Sequence, residues 1–244
     1  MKKSHSLLIG FILLINIFYT TNVYAQVSVG VKEGDWIKYG NFSVASTGPE
    51  PTHFQQELTK TDWMMITVQT ILATNITYEV TWHFKNGTDS ILTDWIDIVT
   101  GVNPDGQLTD TFAFFISTDL PVGAGLYNIA TEPFVGWKIN ETINREYLGV
   151  VGETQHSNNT TSLLGATHTY NLYWDKGSGV LTEYNYSMTV VYPSSPTIEV
   201  HFEIVDSHPT WPVPEFPHSM FIPLLMIAAL LAVIMHRRTR TMKQ

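Results

Sequence analysis

Apolar and polar residues alternate with a period of two along most of the middle of the chain. The clearest examples are residues 78–84 (YEVTWHF) and 198–204 (IEVHFEI). Shorter runs of the same kind occupy residues 66–68, 96–98, 112–116, 170–174 and 184–190. This period is typical of antiparallel strands that bury one face and expose the other.

Turn signals such as Asn86-Gly87 separate these runs. The pattern therefore predicts a mainly β fold of about ten strands. The expected architecture is a single curved antiparallel sheet, arranged as a half-barrel or a sandwich. No long helix is expected, although residues 52–59 could form a short one.

Two apolar segments without this alternation lie near the ends of the chain. Residues 7–19 follow two lysines and precede Val23-Tyr24-Ala25, an order typical of a signal peptide that is cleaved after Ala25. An uncleaved N-terminal anchor is the alternative.

Residues 219–235 carry no charge and nearly reach the length of a bilayer span. Basic residues beside a span stay in the cytoplasm, which fixes the orientation through Arg237, Arg238 and Arg240.

These features predict five segments in a single-pass protein of the cell membrane. They are a signal peptide (1–25), an extracellular β domain (26–208), a proline-rich stalk (209–217), a transmembrane helix (218–236) and a cytoplasmic basic tail (237–244). The bulk of the chain is expected outside the cell.

The stalk contains the sequence Pro214-Glu215-Phe216-Pro217. Followed by a hydrophobic span and an arginine cluster, it resembles the PEF-type C-terminal sorting signal of archaeal surface proteins. The resemblance covers residues 214–244. It implies recognition by an archaeosortase, an intramembrane transpeptidase that removes the helix and transfers the new C-terminus to a lipid. The alternative is a plain anchor whose helix is retained, and both keep the protein on the membrane.

Two segments of the β domain carry further resemblances. Residues 30–39 (GVKEGDWIKY) resemble the opening strand of many archaeal surface proteins, and residues 173–181 (YWDKGSGVL) resemble their recurrent strand–turn–strand hairpin. The hairpin also resembles the curved sheets of lipoprotein-carrier folds, in which a β half-barrel holds an apolar cavity. These resemblances imply a fold and no activity.

The charge distribution narrows the range of partners. The formal net charge is −9, and six of the thirteen lysines and arginines lie in the terminal segments. The exported part is therefore strongly acidic, which argues against nucleic acid as a partner. The chain has no cysteine, so neither disulfides nor a thiolate site can form.

Asparagine acceptor motifs are more frequent than the composition suggests. Seven asparagines begin an N-x-[ST] sequon without proline: Asn41, Asn75, Asn86, Asn140, Asn158, Asn159 and Asn185. In an exported protein these are predicted N-glycosylation sites. The alternative is that threonine-rich strands and asparagine-rich turns produce the motif incidentally.

No common catalytic motif is present, so no catalytic residue, metal site or cofactor is predicted. Four acidic residues cluster around a turn and could hold calcium through their carboxylate oxygens, but their spacing departs from that of the helix–loop–helix calcium site. They are Asp94, Asp97, Asp105 and Asp110. Six tryptophans could stack on sugars, but alternating strand positions favour the core; they are Trp36, Trp63, Trp82, Trp95, Trp137 and Trp174.

The predicted function is a surface-displayed binding or structural module that is not an enzyme. One alternative is a carrier for a lipid or another apolar ligand in a β cavity, and a weaker one is a secreted hydrolase. The predicted partners are the membrane, an archaeosortase-like processing enzyme, and a glycan or an apolar ligand.

Overall fold

The computed structural model describes residues 27–48, 52–102, 112–128, 136–163, 165–190 and 196–208. Within them the chain forms β1 (Trp36–Ser46), α1 (His53–Lys60), β2 (Thr61–Leu72), β3 (Asn75–Phe84), β4 (Asp89–Asp97), β5 (Glu141–Tyr147), β6 (Val150–Leu163), β7 (Ala166–Asp175), β8 (Leu181–Val190) and β9 (Thr197–His208). The predicted signal peptide, stalk, transmembrane helix and basic tail lie outside these ranges. In the described residues no helix has the length and apolarity needed to cross a bilayer.

The nine strands form one open antiparallel sheet, which confirms the mainly β prediction. Their order is β4-β3-β2-β1-β9-β8-β7-β6-β5, so the two halves of the chain meet where β1 pairs with β9. Short turns join most neighbours. In the β5–β6 turn, Leu148 and Gly149 both have positive φ (55° and 76°), as a two-residue type I′ hairpin requires. Gly87 has a φ of 82° in the predicted Asn86-Gly87 turn between β3 and β4.

The alternation places apolar residues on one face of the sheet, here called the covered face. On β9, Ile198, Val200, Phe202 and Ile204 are each at most 4% exposed. Glu199 lies between them and is exposed on the opposite side, here called the open face. The period-two face assignment of this strand is therefore confirmed.

Residues 112–116 were predicted to be a strand with one wet face, and this is wrong. Every residue from 112 to 118 is buried, because this irregular segment packs across the covered face. Ala113 has a φ of 52°, and its carbonyl accepts a 2.7 Å hydrogen bond from Trp174 Nε1. The amide of Leu181 at the start of β8 donates to the carbonyl of Phe114 at 2.9 Å. The segment acts as a second layer over the sheet.

An aromatic cluster joins this segment to the centre of the sheet. The Phe202 ring lies 4.9 Å from that of Tyr184, 5.2 Å from Phe112, 5.3 Å from Phe42 and 5.6 Å from Tyr39, between ring centroids. Aromatic pairs at such separations add to the stability gained from burial alone. The core therefore lies where β1, β8 and β9 meet residues 112–118.

The tryptophans divide between the core and the surface. Trp137 and Trp174 are buried, as predicted. The core prediction is wrong for Trp36, Trp63 and Trp95, which are half-buried on the open face, where they pair with Thr67, His83 and Thr77. Trp82 is partly buried and packs against the core, with its ring 6.5 Å from that of Phe42.

The short helix predicted near residues 52–59 is confirmed as α1. Thr52 caps its N-terminus: the Gln55 amide donates to Thr52 Oγ1, and the Thr52 amide donates to Gln55 Oε1 at 2.8 Å. This reciprocal pair is a capping box, which satisfies amides that the helix itself leaves without acceptors. Leu58 is buried and fixes the helix to the rest of the domain.

Candidate ligand-binding face

The open face carries two rows of polar side chains across neighbouring strands. The amide row contains residues that lie opposite one another in the register: Asn158 on β6, Asn171 on β7, Asn185 on β8, His201 on β9 and Ser43 on β1. The carboxylate row beside it consists of Glu141, His156, Tyr173, Glu183 and Glu203. Because side chains point to the same face at every second residue, these ten residues form one continuous polar surface.

Hydrogen bonds fix the side chains of the amide row. Asn158 Nδ2 donates to Asn171 Oδ1 at 2.8 Å, and the His201 ring bonds to Asn185 Oδ1 through Nδ1 at 2.7 Å. Asn185 Nδ2 donates to Glu183 Oε1 at 2.7 Å and so links the two rows. The row is therefore ordered before any ligand binds.

Glu183 is the centre of the carboxylate row and is only 7% exposed. Its other oxygen, Oε2, lies 2.7 Å from Arg145 Nη2 and accepts a 3.0 Å hydrogen bond from the Tyr147 hydroxyl. A buried carboxylate requires such partners, because an unpaired buried charge is strongly destabilising. Glu183 therefore links side chains of β5 and β8 and stabilises this face.

Arg145 connects two strands that are not neighbours in the sheet. It lies on β5, where it pairs with Gly152 on β6, and its guanidinium reaches Glu183 on β8. Its guanidinium carbon lies 4.1 Å from the centroid of the Tyr173 ring, a cation–π contact on the way to β8. On the neighbouring strand, His156 stacks on Tyr173 at 4.4 Å and bonds to Glu141 through Nδ1 at 2.9 Å.

Burial also fixes the protonation of two tyrosines. It raises the pKa of the Tyr147 phenol well above its ordinary value, so this hydroxyl keeps its proton and donates to Glu183. Burial, followed by the nearby Tyr170, raises the pKa of Tyr186 to about 12. The Tyr186 hydroxyl forms a 2.9 Å hydrogen bond with His168 Nδ1.

A shallow depression of about 190 Å³ lies along the amide row. Its lining consists of Ser43, Ala45, Asn171, Asn185, Tyr186, Ser187, Glu199, Val200 and His201. This lining offers amide, hydroxyl and imidazole groups that both donate and accept hydrogen bonds, with one carboxylate and no lysine or arginine. Pockets that enclose drug-sized ligands are about 300–1,000 Å³. The depression therefore suits one unit of a larger polar ligand that lies across the face.

The acidic side chains of this face and of the candidate calcium cluster are placed as follows. Glu183, its most buried carboxylate, has both oxygens engaged by Arg145, Tyr147 and Asn185. No group of three or more His, Asp or Glu side chains in the described ranges is placed to hold a metal ion. Asp97 instead accepts a hydrogen bond from the Val99 amide at 2.9 Å, and Asp105 and Asp110 lie outside the described residues.

The seven sequon asparagines occupy different environments. Asn41, Asn86, Asn140 and Asn158 are exposed, whereas Asn75, Asn159 and Asn185 are half-buried. Asn158 and Asn185 belong to the amide row. The sorting-motif residues Pro214, Glu215, Phe216 and Pro217 and the topology arginines Arg237, Arg238 and Arg240 lie outside the described residues.

Sequence reasoning did not find the open face as a site. Polar residues on the wet side of a strand are the default, and only the register between six strands shows that these particular ones meet. The available signal was Asn171, Asn185 and His201, each at a polar position of an alternating strand.

Comparison with known protein families found no matching family model, and comparison with curated proteins found no significant match.

Proposed function

We propose that this chain is a membrane-anchored cell-surface binding module that holds a neutral, hydroxyl-rich ligand such as a glycan on its open face. The observation that carries the proposal is the ordered amide row and the depression beside it. Side-chain amides and hydroxyls match sugar hydroxyls, which also donate and accept hydrogen bonds. Because the row is held by its own hydrogen bonds, little side-chain entropy is lost when a ligand binds.

The charge of the face defines the ligand further. Glu199 lines the depression without a cationic partner in the lining, so phosphate and carboxylate ligands are disfavoured. The open-face rings of Trp36 and Trp63 already stack on His208 and His83, so the polar groups of the amide row are the expected contacts for the ligand. A neutral glycan chain that extends across the strands is the ligand class that fits these groups.

The placement at the cell surface rests on the two ends of the chain. A signal peptide ending at Ala25 exports the domain, and residues 218–236 hold the exported precursor at the membrane with Arg237 and Arg238 inside. We further propose that an archaeosortase-like enzyme reads Glu215 and Phe216, removes the tail and transfers the new C-terminus to a lipid, which then anchors the mature protein. A mature protein mass that still includes residues 220–244 would contradict this removal.

Binding is tested with the solubilised full chain on a panel of neutral and acidic oligosaccharides. Ser187→Tyr fills the depression without removing a hydrogen bond of the amide row, and it is expected to weaken glycan binding at least about 10-fold. Thr93→Tyr is the matched control, because Thr93 is exposed on the open face of β4 and lies away from the depression. It should leave binding unchanged.

Two results would contradict the proposal. In the first, no neutral glycan binds the wild-type chain. In the second, a fluorescent fatty acid binds instead and neither tyrosine variant affects it, which would favour a carrier.

A further inference from the structure

Asn86 differs from the other six sequon asparagines in its place in the fold. It lies in the exposed turn between β3 and β4, where it takes part in no strand pairing. The side-chain oxygen Asn86 Oδ1 accepts two hydrogen bonds from Thr88, the threonine of its own sequon. The amide of Thr88 donates at 3.0 Å and its hydroxyl at 2.7 Å.

These two hydrogen bonds leave the side-chain nitrogen of Asn86 free. Nδ2 has no hydrogen-bond partner among the described residues and belongs to an exposed side chain. The turn therefore presents the acceptor nitrogen to solvent.

The other sequons lack this combination. Asn41, Asn158 and Asn185 donate through Nδ2 to Glu203, Asn171 and Glu183, so the atom that a transferase must modify is already held against the sheet surface. Asn140 Oδ1 is held by the amide of Asn158 at 2.6 Å and is not bonded to its own threonine.

Two sequons remain, and both lie within the sheet. Asn75 pairs with residues on both neighbouring strands and is half-buried. Asn159 on β6 pairs with Tyr170 on β7 and is also half-buried. A transferase could reach either only after local opening of the strands, which costs free energy that a turn does not require.

The surface beside Asn86 has room for a sugar. A depression of about 490 Å³ lies between the β3–β4 turn and the end of α1. Phe84 offers an apolar ring there, beside the exposed ion pair of Glu57 and Lys60. A sugar attached to Nδ2 would meet an open depression with groups that can contact it.

We propose that Asn86 is the principal N-glycosylation site of the folded chain and that Asn158 and Asn185 stay unmodified. In the transfer, Nδ2 forms a bond to the anomeric carbon of a sugar carried by a lipid-linked phosphate donor. The bond between that carbon and the phosphate oxygen breaks, and the phosphate leaves with the electron pair. The proton lost from Nδ2 passes to a base of the transferase or to water.

The proposal rests on the proposed export of the domain but not on ligand binding by the open face. It is tested by mass spectrometry of peptides from the full chain, purified from the membranes of the cells that produce it. The peptide that contains Asn86 should carry a glycan in most copies. Asn86→Gln and Thr88→Ala should each reduce the intact mass by one glycan, while Thr88→Ser should keep it.

Asn185→Gln is the matched control, and it should leave the glycan mass unchanged. An unmodified Asn86, or equal modification at Asn86, Asn158 and Asn185, would overturn the proposal. Digestion of intact cells with protease separates the two possible failures. An exterior protein with an unmodified Asn86 contradicts this inference alone, whereas an interior protein contradicts the proposed function as well.

Discussion

Replacement of Phe202 by aspartate is expected to destabilise the β domain by about 5 kcal/mol or more. Loss of a buried phenylalanine alone costs about 3–5 kcal/mol, and an unpaired charge in an apolar site adds to that. Phe202 is fully buried and contacts four other aromatic rings at the junction of both halves of the sheet. Because domains of this size are stable by only about 5–15 kcal/mol, most of the fold should be lost.

Chemical denaturation followed by tryptophan fluorescence measures this effect on the detergent-solubilised full chain. Glu199→Asp is the control, since Glu199 is exposed on the same strand, and it should cost well under about 1 kcal/mol. Similar losses of unfolding free energy in the two variants would show that the face assignment of β9 is wrong.

Replacement of Arg145 by methionine is expected to have the second largest effect, about 2–3 kcal/mol. Methionine keeps much of the volume of the side chain but leaves the Glu183 carboxylate buried without its cation. Removal of one partner of a buried ion pair is costly because the other charge stays in a poor environment. Arg145 itself is about one-third exposed, which places the estimate below that for a fully buried pair.

The double variant Arg145→Met with Glu183→Gln distinguishes charge from packing. It removes the buried charge, so it should be more stable than Arg145→Met alone in the same denaturation experiment. Lys60→Met provides a surface reference, because the Lys60–Glu57 pair is exposed and should contribute less than about 0.5 kcal/mol. A double variant less stable than the single one would mean that the buried charge is not what destabilises the Arg145 variant.

The strands were predictable because burial on one face leaves a period-two pattern. Ile198 to Ile204 carry this pattern, and the structure places them as expected. Residues 112–116 were assigned the same pattern, but they do not form a strand. The positions between Phe112, Phe114 and Ile116 hold Ala113 and Phe115, which are apolar, and all five residues are buried. Periodicity cannot separate these cases when every residue is apolar.

The open face could not be predicted, because it depends on which strands become neighbours. Asn158 and His201 are 43 positions apart in the sequence and lie in one row only because β6 to β9 are consecutive in the sheet. Likewise, the contact between Arg145 and Glu183 depends on β5 and β8 lying in the same half of the sheet. Side-chain type was visible from the sequence, whereas strand order was not.

Protease treatment of intact cells tests whether the β domain is displayed outside the membrane. Proteinase K added to whole cells should remove residues 27–208, detected with an antibody against the folded domain, while a cytoplasmic marker stays intact. Lysed cells provide the control for intrinsic resistance of the sheet to the enzyme. Loss of the domain from intact cells is the expected result. Full protection in intact cells together with digestion after lysis would contradict its placement at the cell surface.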